Sequence, residues 1–361
     1  MRIRVDAAVE VVRKDYAAVR GHPFRHFFCP ILFRDEAVSL CMGHVVNEAF
    51  GDSDRHTTVQ RTDVDNFFGS LFEADFVLLA AKGNRTAADV LADRGLSRKL
   101  RPRILINGRL VDHYLPVGSI PSTHSEVWID RPGAEPVRLA IKVERSATLT
   151  ASHRDLEIRI QRDIRLPALV SLLKAAHLSL FRLVGYRYAL AASGRFMGWD
   201  VLGRYAAENM ALDRSVALAN AHRHFRPFVN LVRPMAAMPA DLQGTVSDGK
   251  LFLCKGTPKG WAFMVFVRTG TQMHAVLVPI LEDAESADRF VRFLSRPAPR
   301  IEATLMRFAG DRWESASDVC MIDWPAADFD GLGIVARGVS EPPQAYESGP
   351  GLPVGSFVGE A

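Results

Sequence analysis

The stretch that most constrains this chain begins after Pro167. Leu169, Leu172, Leu173, Ala176, Leu180, Leu183 and Val184 recur there at the spacing of one helical face. A helix this apolar has to be covered, so it is expected to be a central packing helix. The surrounding run, residues 166–190, is the most apolar long stretch of the chain, yet it contains Lys174, Arg182 and Arg187. Those three charges make it a poor membrane span.

Other elements fall around this helix. Residues 7–19 read as a helix. Phe68, Leu71, Phe72 and Phe76 share a helical face, with Asp63 and Asp65 just ahead of it, where acidic residues cap and complement a helix N-terminus. Residues 85–101 read as short helices. Strands are expected at 104–106, 127–129 and 137–143, with a turn at Pro132-Gly133 between the last two. More helix is expected over 199–222. From Gly244 the period changes to strands, at 250–254, 260–268, 272–279 and 301–307, with a helix over 284–294. The end of the chain, rich in Gly and Pro, is expected to be a disordered tail.

With 361 residues, 48% of them hydrophobic and 24% charged, the composition is that of a globular protein of two or three domains. A formal charge of only +4 means that any nucleic-acid surface is a local patch. The N-terminus has no secretory pattern. The cysteines, Cys29, Cys41, Cys254 and Cys320, are too scattered for a disulfide framework. These features point to a cytoplasmic protein with reduced thiols and no membrane partner. Cys254 and Cys320 read as core residues.

Residues arranged for chemistry concentrate in three segments: Cys29-Pro30-Ile31-Leu32; Leu40-Cys41-Met42-Gly43-His44-Val45-Val46-Asn47; and Asp63-Val64-Asp65-Asn66-Phe67-Phe68-Gly69. A Cys-Pro pair is followed by a His at the end of an apolar run, and then by an Asn at the opening of an amphipathic helix. This order resembles a divergent HNH endonuclease of bacteria, with its treble-clef ββα-metal fold, over roughly residues 24–80.

The resemblance implies His44 as the general base and Asn66 as the helix-opening residue, with a divalent ion, Mg, Mn, Ni or Zn, stabilising the leaving oxygen of a phosphodiester in DNA or RNA. Thr57 falls near the family's middle Asn. Gly43 stands where the family has an Asp. Leu32, Thr62 and Asp65 stand where the remaining zinc cysteines would be, so the usual four-thiolate knuckle cannot form. Metal candidates are Cys29, Cys41 and Asp65, with His44 or His56 as further ligands of a rearranged site. Against these stand plainer roles: His44 as a turn-holding hydrogen bonder, Asn66 as a helix cap, and the cysteines as small buried hydrophobes.

The cluster Arg94, Arg98, Lys99, Arg101 and Arg103 is a candidate phosphate track. His222 and His224 share a face only if their segment is a strand.

The expected fold is α+β: an HNH-like domain over residues 1–101, a mixed α+β domain over 102–330 and a tail over 331–361. The expected function is a metal-dependent nuclease. The alternative is a catalytically inactive HNH-like scaffold that contacts nucleic acid or protein. A third possibility is a C-terminal domain that senses a small ligand. Oligomeric state is not legible.

Overall fold

The structure, a computed structural model, describes residues 2–47, 56–77, 87–115, 118–131, 133–142, 148–151, 156–159, 165–235, 251–256, 260–269, 272–281, 286, 289, 290, 292, 300–309 and 312–323. The fold is α+β. The chain divides into two compact units, Met1–Val77 with Arg165–Leu332, and Leu78–Ile164 with Gly333–Ala361. This differs from the boundary expected at 101/102. The N-terminal motif region packs on residues 165 onward, across a long insertion, because its apolar faces are completed by the central helix.

The first unit opens with helix α1 (Arg2–Arg20), then strands β1 (Leu40–His44) and β2 (Thr57–Arg61) and helix α2 (Thr62–Phe68). The strands form an antiparallel hairpin in which Gly43 faces Thr58 and His44 faces Thr57. Helix α2 runs on through a π-helical turn, Gly69–Glu73. Phe68, Leu71, Phe72 and Phe76 are all buried, as their spacing implies.

The second unit supplies helices α3 (Ala87–Ala92) and α4 (Arg94–Leu100) and strands β3 (Arg103–Ile106), β4 (Arg109–Val111), β5 (His113–Tyr114), β6 (His124–Arg131), β7 (Ala134–Lys142), β8 (Thr148–Ala151) and β9 (Leu156–Arg159). They make two sheets, of order β4-β3-β9 and β5-β7-β6-β8. Asn107 and Gly108 both have positive φ, 50° and 75°, and close the β3–β4 hairpin. Those values suit the tight primed turns that Asn-Gly favours. Val127 and Ile129 pair with Leu139 and Val137, and all four are buried, so one face of this sheet is core. Arg131 ties β6 to α3 through two bonds to the Asp89 carboxylate, 3.1 and 2.8 Å.

The chain then returns to the first unit with the central helix α5 (Arg165–Val184). It is long and apolar enough to cross a membrane, but most of its apolar window is buried inside the fold. Leu169, Leu172, Leu173, Leu178 and Leu180 are wholly buried, and so are the polar Lys174 and His177. The helix stops at Gly185, whose φ of +68° no other residue adopts as easily. Short helices α6 (Tyr186–Ala189) and α7 (Ala192–Arg195), a π-helical segment Phe196–Gly203, α8 (Arg204–Asn209) and α9 (Arg214–Phe225) follow. The helix expected over 199–222 is therefore broken between Asn209 and Arg214. His222 and His224 lie in α9, so the shared strand face considered for them does not exist.

Six antiparallel strands complete this unit: β10 (Val232–Met235), β11 (Leu251–Gly256), β12 (Gly260–Thr269), β13 (Gln272–Ile280), β14 (Arg300–Ala309) and β15 (Arg312–Asp323), in the order β10-β13-β12-β11-β14-β15. Helix α5 packs between this sheet and the elements around α2. Cys254 lies in β11 and Cys320 in β15. Their expected core role, most of the helix expected at 284–294, and the tail from 331 lie outside the described residues.

Candidate functional site

The Cys29 segment forms a tight turn. Cys29 N–H donates to the Arg34 carbonyl and Phe33 N–H to the Cys29 carbonyl, both at 2.9 Å. Phe33 takes the left-handed conformation, φ 54°, that this reversal requires. Leu32 N–H points at Cys29 Sγ, 3.4 Å away. The turn is gripped from outside by residues far along the chain. His177 Nε2 donates to the Pro30 carbonyl, 3.1 Å, and its Nδ1 faces the Tyr188 hydroxyl at 3.0 Å. The Tyr186 hydroxyl donates to the Phe28 carbonyl. A Cβ on Gly198 would stand 2.2 Å from the Pro30 carbonyl oxygen, and one on Gly203 2.0 Å from that of Ile31. These glycines let the π-helical segment lie directly on the turn.

Burial pushes the Cys29 thiol up to about 11, so it stays protonated at neutral pH. Leu32 is buried beside it. A structural zinc in the family's manner does not fit this turn.

Strand alternation sorts the hairpin's side chains. Cys41 and Gly43 share one face with Thr58 and Gln60, and Met42 and His44 share the other with Thr57 and Val59. Asp65 approaches the first face. Its Oδ2 is 3.9 Å from Cys41 Sγ, and a Cβ on Gly43 would meet Gln60 Nε2 at 2.3 Å and the Asp65 carboxyl carbon at 3.1 Å. A side chain at position 43 would have to displace the Gln60 amide and would crowd the Asp65 carboxyl. The His44 carbonyl accepts from Gln60 Nε2 at 3.4 Å, while the imidazole belongs to the opposite face.

Asn66 is exposed in the interior of α2. The N-cap position is Arg61, without a side-chain cap bond, so the helix-cap role considered for Asn66 does not hold. Asp63 serves the helix start instead. It accepts from Val64 N–H at 2.8 Å and takes two bonds from the Arg61 guanidinium, 3.0 and 2.7 Å. That bidentate pair lowers the Asp63 pKa. Glu36 receives the other arm of Arg61.

The group that organises this face is Lys174, whose Nζ lies 2.9 Å from Asp65 Oδ1 and 2.7 Å from Glu73 Oε1. Its side chain is 1% exposed. Glu73 also accepts from Asn47 Nδ2, 3.4 Å. Burial by itself would lower the ammonium's pKa, but Glu73 and Asp65 more than reverse that and hold it above the ordinary lysine value. Cys41, beside the same carboxylate, has its thiol raised, first by burial and then by Asp65. Lys174 was legible in principle: a charge midway along a helix whose middle is otherwise largely apolar must find a partner.

Among the described residues, no three His, Cys, Asp or Glu side chains group as a metal site. Cys41 and Asp65 meet, whereas Cys29 sits in its own buried turn. His56 Nδ1 faces Arg182 at 3.4 Å. Arg94, Arg98, Lys99, Arg101 and Arg103 are all exposed, in the second unit. Asp93 caps α4 by accepting from Leu96 N–H at 3.0 Å, and Arg101, φ 48°, ends it.

Comparison with protein-family models, with curated proteins and with solved structures finds no match for this chain.

Proposed function

We propose that this chain is a catalytically silent HNH-like scaffold that contacts nucleic acid through the basic face of residues 94–103. The observation that carries the reading is the ammonium of Lys174 between Asp65 and Glu73. In the resembled family a divalent ion is held beside the base by a carboxylate and a residue on the following helix. Here Gly43 has no carboxylate, and the one on its face, Asp65, is neutralised by a buried lysine. His44 lies on the hairpin's other face. These residues do not fit the ion.

The order turn, hairpin, helix supports the HNH resemblance itself. The nucleic-acid contact is supported by exposure and charge. Arg94, Arg98, Lys99 and Arg101 make no ion pair among the described residues, so their charge is available to phosphates. Free thiols at Cys29 and Cys41 suit a reducing, cytoplasmic setting.

The test is cleavage and binding of single- and double-stranded DNA and RNA, with magnesium, manganese, nickel or zinc. The expected result is no cleavage, with binding that weakens as salt rises. Replacing Arg98 and Lys99 by Ala should flatten the log–log salt slope by about 0.9 per lost phosphate contact on duplex DNA. Metal-dependent cleavage abolished by His44→Ala would overturn the silent reading. Binding indifferent to salt and to these residues would remove nucleic acid from it.

A further inference from the structure

We propose that the groove between α1, the β1–β2 hairpin and the end of α5 binds a small amphiphilic anion: an apolar body with one carboxylate, phosphate or sulfonate head. The groove has a volume of about 550 Å³, within the range of small-molecule sites. Val11, Val12, Met42, Val59 and Phe181 give it apolar walls. Val11 is 67% exposed, more than any other large hydrophobic residue described.

The charge at its α5 end is one-sided. Arg182 and Arg187 both line the groove and are exposed. Neither makes an ion pair among the described residues. The one carboxylate in the lining, Asp15, is turned to the backbone: it accepts from Tyr186 N–H at 2.6 Å. It also fills the space beside Gly185, where a Cβ would stand 2.1 Å from Asp15 Oδ2. The lining therefore holds two guanidinium groups, that of Arg182 also 3.4 Å from His56 Nδ1, and one carboxylate that is already bonded. An apolar trough with surplus positive charge at one end complements a molecule with an apolar body and an anionic head. Free amphiphiles and lipid headgroups both present that chemistry. The concave shape, walled by three elements, favours a free molecule.

The probe is 8-anilinonaphthalene-1-sulfonate, titrated into the full chain and followed by fluorescence. Saturable binding is expected, displaced by decanoate below its micellar range at a concentration about tenfold lower than 1-decanol needs. The pair Arg182→Gln/Arg187→Gln should weaken binding about tenfold, and so should Val11→Asp. Val216→Asp, on α9 outside the groove lining, should leave it unchanged. All four residues are exposed, and circular dichroism checks that each variant folds. No saturable binding, binding untouched by the groove variants, or equal displacement by the alcohol would overturn the proposal. Binding to phosphatidylglycerol vesicles without displacement by free decanoate would overturn the free-ligand assignment. Arg98→Ala should not move any of these readouts, which separates this site from the nucleic-acid contact.

Discussion

Lys174 holds two carboxylates inside the fold, so replacing it leaves their charge without a partner. Lys174→Met is expected to cost about 3–5 kcal/mol in urea denaturation. Adding Asp65→Asn and Glu73→Gln to that variant should recover a large part of the loss, since the unpaired charges go with it. A triple variant no more stable than the single one would show that the lysine acts through packing alone. Because the Lys174 pKa is held above its ordinary value of 10.5, its contribution is complete at neutral pH and fades only as pH rises through the raised value. His177 works in the opposite window. Burial lowers its pKa from 6.5 to about 4. Between those values the unfolded chain takes up a proton that the folded chain refuses, so stability falls as pH drops, by a term on the order of 3 kcal/mol. His274, also buried with a pKa near 4, adds to the same limb. The urea midpoint of His177→Gln should therefore fall less steeply than wild type over this range, and parallel limbs would refute the assignment. Gly43→Asp, which on the family pattern would restore a carboxylate, instead meets Gln60 and the Asp65 carboxylate. It should lower the melting temperature and give no cleavage.

At the scale of elements, the π-helical segment Phe196–Gly203 meets the Cys29 turn backbone to backbone. Gly203→Ala would bring a methyl to 2.0 Å from the Ile31 carbonyl oxygen, where neither side is a flexible side chain. A destabilisation of about 1–3 kcal/mol is expected, typical of overpacking. A stability equal to wild type would mean that the segment can slide away from the turn. The elements best read from sequence are those whose own pattern is complete. The α5 stripe, the aromatic face from Phe68 to Phe76, and strands β12 and β13 each carry an unbroken period. The hairpin at Asn107-Gly108 was not among the expected elements: strand 104–106 was, but its partner 109–111 is only three residues long and carries no period of its own. Less visible were β8 and β9, a few residues long, and the π-helical segment, whose glycines look like helix breakers until the turn they admit is in place.

For the whole molecule, the division of the chain is a matter of contacts between distant segments. Residues 1–77 are held by His177, Tyr186, Lys174, Gly198 and Gly203, all beyond the insertion at 78–164. A fragment of residues 1–101 is therefore expected to lack a cooperative thermal transition, whereas 78–164 should show one, as judged by circular dichroism. A cooperatively folded 1–101 would restore the N-terminal domain expected from sequence. The sequence by itself determined the α+β class and the buried central helix, because composition, periodicity and residue chemistry are local properties. Only the tertiary structure decided that an ammonium sits between Asp65 and Glu73, that His44 and Asp65 lie on opposite faces of a hairpin, and that an imidazole from residue 177 holds the Cys29 turn. Each of these depends on which groups meet across more than a hundred residues, or on which way a strand presents alternate side chains once its partner is chosen. No local pattern carries that information.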